Sequence, residues 1–407
     1  MAERNQKILI LHDYFLYKGG GERLVISLAK NLGADVATAF IAKEAFDPRE
    51  YGIKTIELYK EKVWSRVPGF RYLQVQLSFL LKTGFIKKYD VVIYSGDCLA
   101  AVMRAKGRKN IAYMHTPPRH LYDLYQERLH SYPAWKKILF VPFVWFNKWR
   151  FEYLSRKLDV IVTNSKNTQA RIKHYLGLES VVVYPPCDTL PFRNLNDSSP
   201  LTAVRSEVNF LAKENSDYFF SWARVYDVKR VPMIVEAFTK MPDKQLVVAS
   251  GGPELEKIKK MAEGHSNIKI LGWISDEQLI EYLGKCLATI YIPMAEDFGM
   301  TAVESMQAGK PVIGVAEGGL LEIIDPSSSR LSRDFGEAKD GNGILLKPNF
   351  TVDDLCAAVR GMTPERARAM ESACYETAKK FSEKSFVEGM RKVIEQCQMS
   401  NVKCQNS

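Results

Sequence analysis

Short runs of β-branched and aromatic residues alternate with longer stretches of helical periodicity along almost the whole chain. In the first half, residues 7–13 predict a strand, a glycine-rich loop follows, and a helical pattern runs from about Glu22 to Asn31. Further strands are expected at 91–95, 111–115, 160–164 and 181–184. Runs this apolar suit parallel strands buried on both faces. The cycle restarts in the second half, with strands expected at 218–223, 245–249, 268–271, 288–292, 311–315 and 343–346. Strand–helix alternation of this kind implies a parallel α/β sheet in each half, doubly wound.

Between the halves lie Pro185-Pro-Cys-Asp-Thr-Leu-Pro191 and a polar stretch over 194–200, the composition of a boundary. The expected organisation is a first domain over 1–190, a linker over 191–215 and a second domain over 216–380. A C-terminal helix over 381–407 closes the chain, with the first domain as one place for it to return to. Ligands of such sheets sit beyond the carboxyl ends of the strands, so two facing sheets place a site in the cleft between them.

Composition narrows the class. The chain has 407 residues, 46% hydrophobic and 26% charged, which excludes collagen-like, disordered and disulfide-scaffold proteins. Its net charge of +10 is uneven. Residues 60–88 and 119–157 carry 15 basic and four acidic residues and 16 of the 45 aromatics, so the remainder is close to neutral. Seven scattered cysteines without a CxxC pair read as reduced thiols. Residues 7–11 are too short for a secretory signal, and the longest apolar run, 138–146, contains Pro142 and falls short of a span. A soluble or peripheral cytoplasmic protein is expected.

Chemistry concentrates after the strands. Glu296-Asp-Phe-Gly-Met-Thr-Ala-Val-Glu304 follows the strand ending near Ile292, and Gly299 to Ala308 predicts a helix closed by Gly309 and Pro311. Two carboxylates eight residues apart on one helix would lie about 12 Å apart, too far to act on one bond. With Glu296 in the preceding loop it can face the reacting end of a ligand, and Glu304 a more distant polyol such as a ribose. Between them, backbone N–H groups near Gly299 and Met300 make an anion site at a helix N-terminus. Spacing alone leaves a solvated loop Glu and a surface helix Glu as an equal alternative. Arg224 and Lys229, directly after the strand at 218–223, suit a diphosphate, Arg as a fork and Lys as a point charge. A basic surface turn is the competing reading. Gly251, in Ser250-Gly-Gly-Pro253, is a weaker signal for close phosphate approach.

In the first half, Gly20 and Gly21 lie in a glycine-rich turn between the first strand and the helix, where phosphate can be held, although the loop is neither GxGxxG nor a P-loop. His115 precedes Thr116-Pro-Pro-Arg119 at a strand end, and His12 and Asp13 end another. His12 and Asp13 orient a ligand hydroxyl or cap the turn, whereas His115, beside a Pro-Pro turn, either faces the cleft or is a structural histidine. No His-x-His, no HExxH and no pair of aspartates two apart appears, so a metal is not expected and Arg224, Lys229 and helix dipoles take its place.

Together the Arg224…Lys229 pair, Gly272-Trp273 and the segment from Glu296 to Gly314 resemble the retaining glycosyltransferases of family 4, which have the GT-B fold of two Rossmann-like domains. His12-Asp-Tyr-Phe, the glycine-rich loop ending at Glu22, Met114-His-Thr-Pro-Pro-Arg119 and Tyr184-Pro-Pro-Cys-Asp188 are similar to bacterial mannosyltransferases that build O-antigens and related polysaccharides from GDP-mannose. The resemblance implies that Arg224 and Lys229 hold the donor diphosphate, Glu304 the ribose, and Glu296 with backbone at 298–300 the transferred sugar. It places His115 near the reacting centre, Trp273 beside the base, Gly20 and Gly21 on the phosphate side, and Asp13 and Arg119 on the acceptor side. It implies a lipid-linked acceptor of the undecaprenyl-diphosphate type. Cys187 departs from the aliphatic residue usual in the family, which bears on packing.

Within that resemblance the donor could instead be GDP-rhamnose or a UDP-sugar. A sugar-nucleotide epimerase would need first-half carboxylate partners that are not assignable, and retention of Arg224, Lys229, Glu296 and Glu304 together opposes a silent scaffold. Nucleic-acid binding lacks a motif. The charge points to an anionic membrane instead: Trp64, Phe70, Tyr72 and Phe79 among Arg66, Arg71 and Lys82, and Trp135 to Trp149 among Lys136, Lys137, Lys148 and Arg150, suit an interfacial surface. About half of these aromatics are expected in the core. The inner (cytoplasmic) membrane is the expected location.

Overall fold

The computed structural model describes residues 6–17, 19–61, 67–187, 217–326 and 341–404. The linker expected at 191–215, together with Trp64, Arg66 and Asp188, lies outside them. The chain divides into two compact units, Met1–Pro185 with Glu383–Ser407, and Pro186–Ser382.

The first unit holds a seven-stranded parallel sheet in the order β3-β2-β1-β4-β5-β6-β7. Its strands are β1 (Ile8–His12), β2 (Asp35–Thr38), β3 (Thr55–Glu57), β4 (Val91–Ser95), β5 (Lys109–Met114), β6 (Val160–Thr163) and β7 (Val181–Val182). All five residues of β1 and of β4 are buried, as double coverage requires. Helices Pro68–Leu81, Ala134–Ser155 and Lys166–Leu176 supply Val75, Phe79, Val144, Phe151 and Ile172 to one face. Helices Gly20–Leu32 and Glu383–Cys404 supply Leu24, Leu28, Phe386 and Met390 to the other. The C-terminal helix is tied to Gly20–Leu32 through Ser27 Oγ, which donates to the Glu383 carboxylate at 2.5 Å.

The second unit holds a six-stranded parallel sheet in the order β10-β9-β8-β11-β12-β13. Here β8 is Tyr218–Ser221, β9 Gln245–Ala249, β10 Ile268–Gly272, β11 Ala288–Tyr291, β12 Val312–Val315 and β13 Gly343–Leu346. Local signals bound its helices. Ser275 and Thr351 form capping boxes that start Asp276–Lys285 and Val352–Gly361. In each unit the strand order reverses once, between β1 and β4 and between β8 and β11, and loops leaving those carboxyl ends are where such sheets bind ligands.

Two strands escaped the pattern. β2 and β3 have four and three residues, too short to show a period. The interfacial reading also needs correcting. Phe79 is fully buried. Tyr72 donates to Asn147 Oδ1 at 2.5 Å and accepts from Arg150, which also donates to Gln76 Oε1 at 2.6 Å. Arg71 lies over the Tyr14 ring. These four side chains bind the unit together, whereas Phe70, Trp135, Trp145 and Trp149 are exposed. Helical spacing decides which is which, because each helix turns one face to the sheet.

Candidate active site

The second unit's site is built on the switch point of its sheet. After β8 the chain passes through Arg224 and a short turn, Asp227–Lys229; after β11 it passes through a loop carrying Glu296 before the helix Met300–Gln307 begins. Lys229 Nζ donates to Glu296 Oε2 at 2.5 Å and to the Tyr291 hydroxyl at 2.9 Å, and that hydroxyl donates to the same carboxylate oxygen at 2.7 Å. A lysine ammonium carries three donors, so this triangle uses two. Burial, reinforced by the Glu296 carboxylate, pushes Tyr291 well above its ordinary value. The phenol therefore stays protonated and able to donate. Arg224 projects into solvent without a side-chain hydrogen bond or ion pair among the described residues.

The loops around the triangle are tightly stitched. Arg230 forks onto Glu317 Oε1 with both distances at 3.0 Å, and Glu317 Oε2 accepts from the Ala295 backbone N–H. Gly319 N–H donates to the Glu296 carbonyl at 2.8 Å. Arg230 and Ala295 hold left-handed conformations, φ 52° and 43°, costly for non-glycine residues and sustained by these contacts. Gly318 has φ 58°, and a Cβ there would collide with the Glu296 backbone. Gly299, at φ 109°, begins Met300–Gln307 with no side-chain cap, leaving the positive end of that helix beside the loop. Phe298 is buried edge-on against Phe381, so only its backbone is available to a ligand. Glu304 lies one turn into the helix, partly exposed, near enough to Tyr291 for its charge to help raise the phenol. The eight-residue spacing therefore spans a loop and one helical turn.

Gly251 and Trp273 meet directly. A Cβ on Gly251 would strike the indole, which is 73% exposed and leans on that backbone. Gly251 thus serves as the seat for Trp273, and its neighbour Gly252 makes the close approach to the backbone at Val225.

In the first unit, His12, Ser95 and His115 line up at adjacent strand ends. His115 Nε2 is 3.3 Å from Ser95 Oγ, and burial with His12 nearby pushes its imidazole down to about 4, so it is neutral at pH 7. His12 is buried with Nε2 3.6 Å from Asp13, and neither ring nitrogen has a hydrogen-bond partner among the described residues. The Asp13 carboxylate accepts from the N–H groups of Tyr14 and Asp97, at 2.9 and 3.2 Å, under Gly96, where a Cβ would sit 2.6 Å from it. Arg119 is engaged differently: its guanidinium pairs with Asp123, which also holds Arg171. Gly20 and Gly21 occupy the first turn of Gly20–Leu32; the space a Gly21 Cβ would enter is open, while the Glu22 carboxylate folds back toward Gly19.

Several participants are invisible as motifs. Tyr291 ends a strand and reads as core; its hydroxyl completes the triangle. Asp97 lies beyond β4, next to Asp13 and the switch point. Tyr14, Arg71, Tyr72, Val75 and Asp97 line a cavity of about 130 Å³. Burial and the Asp13 charge push the Asp97 carboxyl up to about 6, and burial pushes Tyr14 and Tyr72 up to about 12. A Gly-Asp pair closing a buried strand was the available signal.

The comparisons with known proteins agree with this fold. Residues 18–189 match the Glycosyltransferase Family 4 model, and 205–395 match Glycosyl transferases group 1. An alpha-1,3/1,6-mannosyltransferase ALG2 from Mus musculus is 27% identical over 75% of this chain and 79% of its own. An uncharacterized glycosyltransferase of Methanocaldococcus jannaschii is 23% identical over 96% and 98%. The crystal structure of Anabaena HepE in complex with UDP and glucose superposes with a TM-score of 0.71 at 16% identity, covering 96% of this chain and 99% of that one. Sucrose-phosphate synthase from Thermosynechococcus elongatus gives 0.70 at 17% identity, covering 97% and 100%. The chain is a hexosyltransferase of GT-B fold, built from a family 4 glycosyltransferase domain followed by a group 1 glycosyltransferase domain.

Proposed function

We propose that the protein transfers mannose from GDP-mannose to a lipid-linked saccharide in bacterial polysaccharide synthesis, with retention of anomeric configuration. The observation that carries the reading is the Lys229–Tyr291–Glu296 triangle beside an uncapped helix N-terminus at the β8/β11 switch point. A donor diphosphate takes the unused donor of Lys229, the free fork of Arg224 and the helix N–H groups. Glu304 receives the ribose and Trp273 borders the base. Glu296, held in place by Tyr291 and by backbone bonds, meets the sugar hydroxyls together with the 298–300 backbone.

The C1–O bond to the β-phosphate breaks as the acceptor oxygen bonds C1 from the same face, and the departing phosphate oxygen takes the acceptor proton. GDP leaves. The protein's contribution is stabilisation of charge on that leaving group. Neutral His115 and the carboxylates of Asp13 and Asp97 suit hydroxyl groups on the sugar and acceptor side. Cations already present at the diphosphate make a metal unnecessary.

The mannosyltransferase name of the ALG2 relatives supports mannose. A second reading, a UDP-sugar donor, draws on the HepE structure with UDP-glucose, which is 16% identical. Exposed aromatics on Ala134–Ser155 support peripheral attachment to the inner membrane; among the described residues no helix is long and apolar enough to cross one. Incubation with radiolabelled GDP-mannose and a lipid-diphosphate acceptor, followed by product analysis, tests the assignment. Labelled lipid with an α-mannosidic bond is expected, at a rate EDTA leaves unchanged. Transfer from UDP-glucose alone, or free mannose as the sole product, refutes it.

A further inference from the structure

At the amino-terminal edge of the first sheet, opposite the edge that bears His12 and His115, lies a groove of about 590 Å³. Lys106, Arg108, Lys109 and Lys157 line it with a single acid, Asp159, and with Met103. Asp159 is occupied: its Oδ2 accepts from the Asn110 backbone N–H at 2.7 Å. Arg108 Nε and Lys109 Nζ are shut off from water and have no hydrogen-bond partner among the described residues. Their charges are uncompensated where they stand, and with exposed Lys106 and Lys157 they make this turn, which leads into β5, a positive patch that attracts an anion. That turn is rigid. Gly107 bends it at φ 77°, and Asn110 Nδ2 donates to the Arg108 carbonyl while Oδ1 accepts from Tyr94.

The surroundings favour one source for the anion. On Ala134–Ser155, exposed Trp145, Trp149 and Tyr153 recur every fourth position, Trp145 being 72% exposed. Trp149 stacks on Tyr153 at 5.8 Å, and Lys157 Nζ lies 4.4 Å over the Tyr153 ring, so the stripe runs into the groove. Pro68–Leu81 presents a second apolar stripe, Leu73, Leu77 and Leu81. The short helix Leu99–Arg104 packs against both helices and ends in exposed Met103 at the groove. Apolar stripes beside a cationic pocket match a bilayer interface, where aromatics lie at headgroup depth and cations meet phosphate.

We propose that this groove binds the phosphate headgroup of an anionic membrane lipid while the two stripes enter the interface. The proposal rests on the peripheral attachment given above, and it assigns a specific headgroup site that attachment by diffuse charge does not need. The test is flotation of the full-length protein with phosphatidylcholine vesicles, with and without phosphatidylglycerol, at low salt. The wild type is expected to prefer the anionic vesicles. Lys106→Gln/Lys157→Gln, at two exposed positions, is expected to weaken that binding about thirty-fold, from the known contribution of each basic residue near an anionic surface. Its binding to neutral vesicles, its melting temperature and its sugar transfer to a water-soluble acceptor stay unchanged. Arg108→Gln is expected to lose the same preference, and Trp145→Ser/Trp149→Ser to lose binding to both vesicle types. Equal binding of phosphatidylglycerol vesicles by wild type and the double variant overturns the headgroup site while leaving attachment standing. Absence of wild-type binding to any vesicle overturns both. Saturable binding of glycerol phosphate in solution, with no preference for anionic vesicles, shows a free phosphate as occupant and overturns the lipid assignment. Transfer activity is read separately, so failure of the mannosyl reading leaves these outcomes intact.

Discussion

The two sheets place their chemistry at the same topological point but prepare it in opposite ways. Beyond β8 and β11, opposite charges are already joined: Lys229 meets Glu296 at 2.5 Å with Tyr291 bridging them, and Arg230 meets Glu317 beneath. Beyond β1, β4 and β5, like groups are crowded and shielded. His115 is held neutral beside His12, and Asp97 is pushed toward neutrality by burial and Asp13. The difference teaches what each region can receive. A pre-paired cation with a spare donor accepts a charged diphosphate without leaving a buried charge unpaired. Neutral imidazole and a carboxylate held nearer to protonation recognise hydroxyl groups, giving and taking hydrogen bonds without drawing in counter-ions.

The largest effect expected from breaking this contrast is in the second unit. Lys229→Ala should lower turnover by about a thousand-fold through loss of leaving-group stabilisation, with the circular dichroism spectrum unchanged. Near-normal transfer would sink the assignment. Next comes the scaffold. Gly318→Ala forces a Cβ into the Glu296 backbone, and displacement of that loop should cost on the order of a hundred-fold in kcat/KM, together with a lower melting temperature. Full activity there would mean that the loop's position matters little. Tyr291→Phe keeps the Lys229–Glu296 pair and removes the shared hydroxyl; about a ten-fold fall in kcat/KM is expected.

The smallest effect sharpens the comparison through pH. His115 has its proton affinity lowered, so between about pH 6.5 and 4 the unfolded chain takes up a proton the native state refuses, and stability falls as pH falls. Asp97 is raised to about 6, so between its ordinary value of 3.8 and 6 the native state keeps a proton the unfolded chain has released, and stability falls as pH rises. The two oppose one another over nearly the same window. Asp97→Asn should leave a melting temperature that climbs with pH across it, and His115→Gln one that declines, each by about 5–10 °C in thermal scans. Parallel profiles for the two variants would show that these groups do not titrate as their surroundings demand.

Much of this was legible in the residues. Buried parallel strands need continuous apolar runs, so β1, β4, β9 and β13 stand out at once, and Gly299 before Met300–Gln307 marks a helix start. The short strands β2 and β3 carry too few positions for a period, and the amphipathic helices hide which of their aromatics face inward. Phe79 and Trp149 share the same kind of basic, aromatic stretch, yet one is buried and the other more than half exposed. Tyr291 could not be separated from core because its ring is core and only its hydroxyl acts.

By itself the sequence determined the alternation of strands and helices, the loops that follow strand ends, and the presence there of Arg224, Lys229, Glu296 and Glu304. These are local properties, set by periodicity, turn residues and chain order. Tertiary structure alone decided that Lys229 and Glu296, 67 residues apart, share one proton-donating phenol. It also decided that Asp13 raises Asp97 across 84 residues and that Lys157 joins Lys106, Arg108 and Lys109 around one groove. Charge and burial act through space over a few ångströms, and only the folded sheets bring those distances into being.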